Sequence, residues 1–256
     1  MSTFRVLQFN MQFGQMWHDA YPDRAPLDLN QTIAEIKRHD ADIILLQEVE
    51  LAGADGNQIS PPPNYTRLSA ELTGYDSWFS YPKPDPRELP FGIGLAIFSR
   101  TPLRERTRLN IPSPPVEFDF FGKKMTPTDR LLIGARTTLS GRELQLYNTH
   151  LLAFFMLGSS STTHPFQRQL VAAQLSVSDK PTILTGDFNV SGHQDLVDQF
   201  AGTGFTTVQE TEPTWRRRPF VLDHIFYNTP LRCVSYSVNP TLASDHHALV
   251  ADFAFV

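Results

Sequence analysis

At six places in the chain a short apolar run meets a carboxylate, an amide or an imidazole. Asn10 ends the run that begins at Phe4, and Gln47 and Glu48 close the one that begins at Asp42. Asn148, Thr149 and His150 end a later run. Asp187 and Asn189 follow Thr182 to Thr185, Asp223 sits within Leu222 to Tyr227, and Ser244, Asp245 and His246 precede the last run. One such residue would mean little, since every strand must end in something polar. A set drawn so consistently from Asn, Asp, Glu and His predicts convergence on one site. Carboxylates and amides are hard oxygen donors, suited to magnesium or manganese. His150 and His246 can exchange protons near neutral pH. Asparagine amides can donate hydrogen bonds to phosphate oxygens. A hard cation with paired proton carriers is what hydrolysis of a phosphate ester requires.

The elements that must hold these groups are mostly strands. Runs rich in β-branched and apolar residues lie at Phe4 to Asn10, Asp42 to Gln47, Gly92 to Ser99, Leu131 to Leu139 and Leu144 to Thr149. Others are Thr182 to Thr185, Leu222 to Tyr227, Cys233 to Val238 and Ala248 to Phe255. Helical spacing is clearest over Leu29 to His39, with Leu29, Ile33 and Ile36 on one face and Asp28 or Asn30 as the cap. Gln167 to Leu175 and Gln194 to Ala201 are weaker helical segments. Proline clusters at Pro61 to Pro63, Pro82 to Pro90 and Pro112 to Pro115 predict long loops. The pattern points to sheets packed on each other with a few covering helices. No stretch reads as a linker, so residues 1–256 are expected to form one domain.

Composition narrows the function classes. The 256 residues are 41% hydrophobic and 19% charged, a globular mixture that excludes disorder and collagen-like structure. Lys and Arg number 22 against 27 Asp and Glu, a net charge of −5, which speaks against a generic nucleic-acid binder. The charge is uneven: from Arg100 to Arg142 there are nine basic and four acidic residues. The single Cys233 excludes an internal disulfide and a cysteine-rich zinc site. It reads as a small core residue. Met1 to Asn10 has neither a basic start nor a long apolar stretch, and Leu151 to Leu157 is too short to span a bilayer. The expectation is a cytoplasmic monomer without a transmembrane segment.

Seven segments, in order, carry a resemblance. They are Leu-Gln-Phe-Asn at 7–10, Leu-Gln-Glu-Val at 46–49, Gly-Ile-Gly-Leu-Ala-Ile-Phe-Ser-Arg at 92–100 and Asn-Thr-His-Leu at 148–151. Gly-Asp-Phe-Asn at 186–189, Leu-Asp-His-Ile-Phe at 222–226 and Ser-Asp-His-His at 244–247 complete the series. The chain resembles the endonuclease/exonuclease/phosphatase superfamily, which includes pancreatic deoxyribonuclease, apurinic endonucleases, neutral sphingomyelinases, deadenylases and inositol polyphosphate 5-phosphatases. Each motif is weak alone; the ordered set, spanning the chain, is specific. The resemblance implies a four-layer α/β/β/α sandwich of two packed mixed sheets flanked by helices, with the site at one end of the sheets. It implies Glu48 as the main ligand of magnesium or manganese, with Asn10 beside it and Asp245 completing the shell. Asp187 would orient or deprotonate water, Asn189 hold a phosphate oxygen, and His246 contact the phosphate, oriented by Asp223. His150 would help protonate the leaving oxygen. Whether Asp187 or His246 is the base stays open.

The implied activity is divalent-metal-dependent hydrolysis of a phosphodiester on a small molecule, lipid or nucleic acid. A nuclease is one alternative; a non-catalytic module that binds a phosphorylated partner in the same cleft is another. Both the carboxylates and the histidine pair are present, which favours an enzyme. Val-Leu-Asp-His stands where inositol phosphatases usually show Trp-Cys-Asp-Arg, against that subgroup. Phe154, Phe155 and Met156 read either as core or as an apolar wall for a lipid or aromatic leaving group. Trp215 and Arg216 to Arg218 read as a solvated loop or a substrate contact. His224 and His247 alternate away from the site and read as packing or surface, while His18, His39, His164 and His193 read as surface.

Overall fold

The computed structural model describes residues 3–178 and 180–256; Met1 and Ser2, the start of the segment searched for a leader, lie outside the described residues. The strands are β1 (Thr3–Asn10), β2 (Ile43–Gln47), β3 (Glu50–Leu51), β4 (Asp76–Ser80), β5 (Gly92–Ile93), β6 (Leu95–Ser99), β7 (Arg104–Ile111), β8 (Phe118–Phe120) and β9 (Lys123–Met125). They continue with β10 (Arg130–Leu139), β11 (Arg142–His150), β12 (Thr182–Asp187), β13 (Phe205–Thr207), β14 (Asp223–Asn228), β15 (Leu231–Asn239) and β16 (Ala248–Phe255). The helices are α1 (Leu29–Arg38), α2 (Pro63–Glu71), α3 (Phe166–Ser176) and α4 (Gln194–Ala201).

Two mixed sheets of six strands form the body, ordered β15-β16-β1-β2-β6-β4 and β13-β14-β12-β11-β10-β7. Each has a parallel pair near its centre, β1 with β2 and β11 with β12, and antiparallel neighbours around it. Strand alternation sorts the side chains into three cores. Phe4, Val6, Ile43, Leu45, Leu144, Leu146, Ile183 and Ile225 fill the space between the sheets. Leu7, Phe9, Ile44 and Leu46 face Ile33 and Ile36 of α1 and Leu68 of α2. Tyr147, Leu184 and Phe226 face Val171 and Leu175 of α3 and Leu196 and Phe200 of α4. The result is the expected α/β/β/α layering. Each such fully buried side chain contributes about 1.5–3 kcal/mol relative to exposure.

Asp28 caps α1, its carboxylate accepting from the Asn30 and Gln31 amides. The expected loop at Pro61 to Pro63 instead leads into α2: Pro63 is the first helical residue, where a missing N–H costs nothing. Strands β4 and β7 carry no apolar run because they are sheet edges, and β7 is largely exposed. His39, expected at the surface, is buried, and its ring meets Glu35 at 3.0 Å. Cys233 is half-buried at the margin of the inter-sheet core rather than within it. No helix among the described residues is long and apolar enough to cross a membrane.

Candidate active site

The inter-sheet layer changes character along the strands. On β1, Phe4 and Val6 are followed on the same face by Gln8 and Asn10; on β2, Ile43 and Leu45 are followed by Gln47. In the other sheet Leu144 and Leu146 give way to Asn148 and His150, and Ile183 to Thr185 and Asp187. The two parallel pairs thus deliver their polar carboxyl-terminal ends to one place. Asp223 opens β14 directly opposite Asp187 in the register.

The first polar tier is a directed amide chain joining the sheets. Asn148 Nδ2 donates to the backbone oxygens of Leu46 (2.8 Å) and Ala96 (3.1 Å), which turns its Oδ1 toward Gln47. Gln47 Nε2 donates to that oxygen at 2.7 Å, and Gln8 Nε2 donates to Gln47 Oε1 at 2.8 Å. The second hydrogen of Gln8 goes to Asp223 Oδ1, also at 2.8 Å. All four side chains are buried, where an unmade hydrogen bond is costly. Asp223 Oδ2 then accepts His246 Nδ1 at 2.8 Å, which leaves His246 Nε2 facing the cleft. The backbone amides of Leu222 and Asp223 both donate to Thr214 Oγ1 at 3.0 Å and hold this turn.

The second tier is the cleft floor. Glu48 follows Gln47, so alternation alone would send it to the helix side. Its φ of 49° turns it back toward the cleft, a strained backbone of the kind that collects at functional sites. Gly92 packs against the Glu48 carboxylate so closely that an added Cβ would lie 2.1 Å from Oε2. Asn10 Nδ2 bridges the two acids, donating to Glu48 Oε1 (2.9 Å) and Asp187 Oδ2 (3.0 Å). His150 Nε2 lies 3.6 Å from Asp187 Oδ2 and 3.9 Å from Glu48 Oε1, and His246 Nε2 is 3.6 Å from Asp187 Oδ2. Asn189 donates from Nδ2 to the Leu151 oxygen at 3.0 Å, tying the loops after β11 and β12 together.

Seven of the eight residues singled out from sequence therefore meet around Asp187. Asp245 stands at the rim, its Oδ1 4.0 Å from His246 Nε2. Its Oδ2 accepts Arg217 Nε at 2.8 Å and Trp215 Nε1 at 3.2 Å, so this carboxylate already has a cation. Asn10 offers its amide hydrogens to the acids while its oxygen accepts the Gln12 amide at 3.1 Å.

Electrostatics separates the groups. Burial, reinforced by Asp245, pushes Glu48 up from 4.5 to about 7. Asp187 is also raised, first by burial and then by Asp223 and Glu48, although His246 opposes this. Burial alone would lower His246, but Asp223 and Asp187 outweigh it and hold the imidazolium. His150 is driven well below its ordinary value by burial, then by Arg130 and His246. Both carboxylates are held above their ordinary range despite the nearby His246 imidazolium. Glu48, Asp187 and His150 offer ligand atoms within 4.8 Å of one another, and so do Asp187, Asp223 and His246. A hard divalent cation fits the oxygen-rich donors of the first group.

Two residues had no role assigned from the sequence. Gln8 carries a weak signal, a polar residue on the otherwise apolar face of a buried strand. Arg130 opens β10 and lines the cleft with Gly92 and His150. Its buried Nε has no hydrogen-bond partner among the described residues. The positive stretch from Arg100 to Arg142 is otherwise dispersed: Arg100 pairs with Asp40, Arg106 with Asp76 and Arg136 with Glu105. On the opposite rim Phe154 is core, Met156 is exposed, and Phe155 packs against Trp215 (5.7 Å between ring centroids) and Phe220 (5.4 Å). Trp215 in turn lies 6.3 Å from the His246 ring. His224 packs on Phe188 and Phe226 behind the sheet.

Comparison with known proteins agrees with this fold. A structure described as an endonuclease/exonuclease/phosphatase from Beutenbergia cavernae superposes with a TM-score of 0.74 at 20% identity, covering 100% of this chain and 72% of that one. The human Nocturnin catalytic domain with bound sulfate gives 0.67 at 22% identity, over 99% and 94% of the two chains. A mannosyl-6-phosphatase from Bacteroides thetaiotaomicron gives 0.67 at 17%, over 98% and 100%. No curated protein matches the chain in sequence. The family model described as Endonuclease/Exonuclease/phosphatase family matches residues 7–246, a span that begins inside β1 and closes on the histidine facing Asp187, and the chain belongs to that family.

Proposed function

We propose that the protein is a divalent-cation-dependent phosphodiesterase that attacks phosphorus with an activated water. The observation that carries this reading is the meeting of Glu48, Asp187 and His150 with the Asp223–His246 pair at one cleft floor. Glu48 and Asp187, with His150 beside them, would hold magnesium or manganese, which supplies Lewis-acid stabilisation of charge on the phosphoryl oxygens. Asp187 is lifted above ordinary carboxylates by burial, and the cation beside it would keep it ionised, able to orient the attacking water or take its proton. His246, already an imidazolium, presents Nε2–H to a phosphoryl oxygen and is unsuited to act as the base. His150, held neutral, would only hydrogen-bond the leaving oxygen, which would take its proton from the imidazolium of His246. Arg130 offers a guanidinium to the phosphate from the opposite wall. Phe155, Trp215 and Phe220 form an aromatic rim next to His246, which supports an apolar or aromatic leaving alcohol. The net charge of −5 argues against a nucleic-acid polymer as the principal substrate.

The test is hydrolysis of a bis-nitrophenyl diester, a nitrophenyl monoester, a lipid diester and single-stranded DNA, each with magnesium, manganese or excess chelator. Diester hydrolysis lost in chelator and restored by the metal is the expected result. Full activity in chelator, or preference for the monoester, rejects the reading. The amide chain gives a second expectation. Gln8→Leu leaves Asp223 without its amide donor, and kcat should fall about tenfold or more with KM nearly unchanged; stability should fall by about 1–3 kcal/mol. Steady-state kinetics and thermal melts measure both.

A further inference from the structure

The β8–β9 hairpin presents an aromatic ring at its tip in an unfavourable way. Phe120 pairs with Lys123, which leaves a two-residue turn of Phe121 and Gly122 with φ of 51° and 79°. Such turns favour Asn-Gly, because the first central residue must also adopt a left-handed backbone. Here that place is taken by phenylalanine, and its side chain is 95% exposed. Backbone strain and water exposure both oppose this residue, and its edge contact with Phe120 covers little of the ring.

The tip is not isolated. Phe120 bridges Phe121 (4.9 Å between centroids) and Phe91 (6.1 Å), and Phe91 is itself 50% exposed. Leu51, also exposed, pairs with Gly92 on the neighbouring short strand. Gly92 is the residue packed on the Glu48 carboxylate, so this apolar rim begins one residue from the cleft floor. The hairpin stem is tied to that wall by Arg87 Nη1 to Thr126 Oγ1 and Thr128 Oγ1 to Glu88 Oε2, both 2.6 Å.

We propose that this hairpin inserts into the surface of a zwitterionic phospholipid bilayer and sets the cleft against it. A single ring on a convex tip suits a deformable apolar medium rather than a preformed pocket. Lys123 and Lys124 follow the ring closely enough to reach headgroup phosphates while their stems stay in the apolar zone. Glu117, 3.7 Å from Lys124, and Asp119, which accepts the Gly122 amide at 2.9 Å, leave the hairpin formally neutral. Together with a chain charge of −5, that neutrality favours a zwitterionic surface over an anionic membrane or a nucleic acid. Vesicle binding stands without the proposed chemistry; only delivery of a lipid diester to the cleft rests on it.

The experiment is co-sedimentation with phosphatidylcholine vesicles, with and without phosphatidylserine. The wild type should bind phosphatidylcholine, and phosphatidylserine should not strengthen binding. Phe121→Ser should weaken binding about tenfold or more. Phe121→Trp should retain it, with a vesicle-dependent blue shift in emission. Hydrolysis of the soluble bis-nitrophenyl diester should be the same for wild type and Phe121→Ser. Wild type that stays in the supernatant, unaltered binding by Phe121→Ser, or binding only to anionic vesicles overturns the proposal. So does loss of single-stranded DNA retention in Phe121→Ser without any effect on vesicles. If no diester is hydrolysed by either protein, the chemistry fails while the vesicle result still decides the anchor.

Discussion

Glu48→Gln should abolish diester hydrolysis, and in chelator at pH 8 it should make the protein more stable. In the metal-free fold, burial and Asp245 raise Glu48 from 4.5 to about 7. The folded state then keeps a proton that the unfolded chain has already lost, so this group destabilises the fold as pH rises from 4.5 through 7. At pH 8 the whole cost is present, about 3 kcal/mol on the linkage scale. Glutamine keeps the shape and the acceptor for Asn10 but removes the charge. The variant should melt higher by on the order of 5–10 °C in chelator at pH 8, and the gain should vanish near pH 4.5. Added magnesium or manganese should raise the melting temperature of the wild type at pH 8 and leave the variant almost unmoved. Thermal melts over pH in chelator and in metal measure this. A variant less stable than wild type at pH 8 would show that Glu48 is satisfied without a cation. The inactive but more stable protein is the usual signature of a site held in a destabilised state for function.

His246→Gln should lower kcat about 10²–10⁴-fold, the range for removal of a positioned proton-transfer group. Asp223 orients His246, accepting its Nδ1 at 2.8 Å. Asp223→Asn should therefore show a similar loss, with the double variant no worse than His246→Gln alone. Additive losses in that cycle would falsify the pairing and give Asp223 a separate role. Asp223→Asn should also set an amide against Gln8 Nε2, so its melting temperature should fall more than that of His246→Gln.

Much of this was legible in the chain because strands alternate. Buried apolar runs ending in Asn10, Glu48, His150 and Asp187 announce central strands whose ends share a site. The helix over Leu29 to Arg38 is written in its apolar spacing and in the Asp28 cap. The edge strands β4 and β7 were hidden, since an edge exposed to water needs no apolar run. The α2 helix was hidden because a proline that opens a helix looks like one that forbids it. Arg130 belongs to no motif and Gln8 is only an inner residue of Leu-Gln-Phe-Asn, and the part each plays appears only when two sheets face each other.

The sequence by itself determined the residue types, their order and the faces on which strand periodicity places them, because those depend on local backbone geometry. It could not say which groups touch. The amide chain from Asn148 through Gln47 and Gln8 to Asp223 crosses between sheets built from segments far apart in the chain. The engagement of Asp245 by Arg217 and the left-handed turn at Glu48 likewise depend on packing. Hydrogen-bond direction and the desolvation that lifts Glu48 and Asp187 are properties of the closed inter-sheet space, and only the tertiary structure creates it.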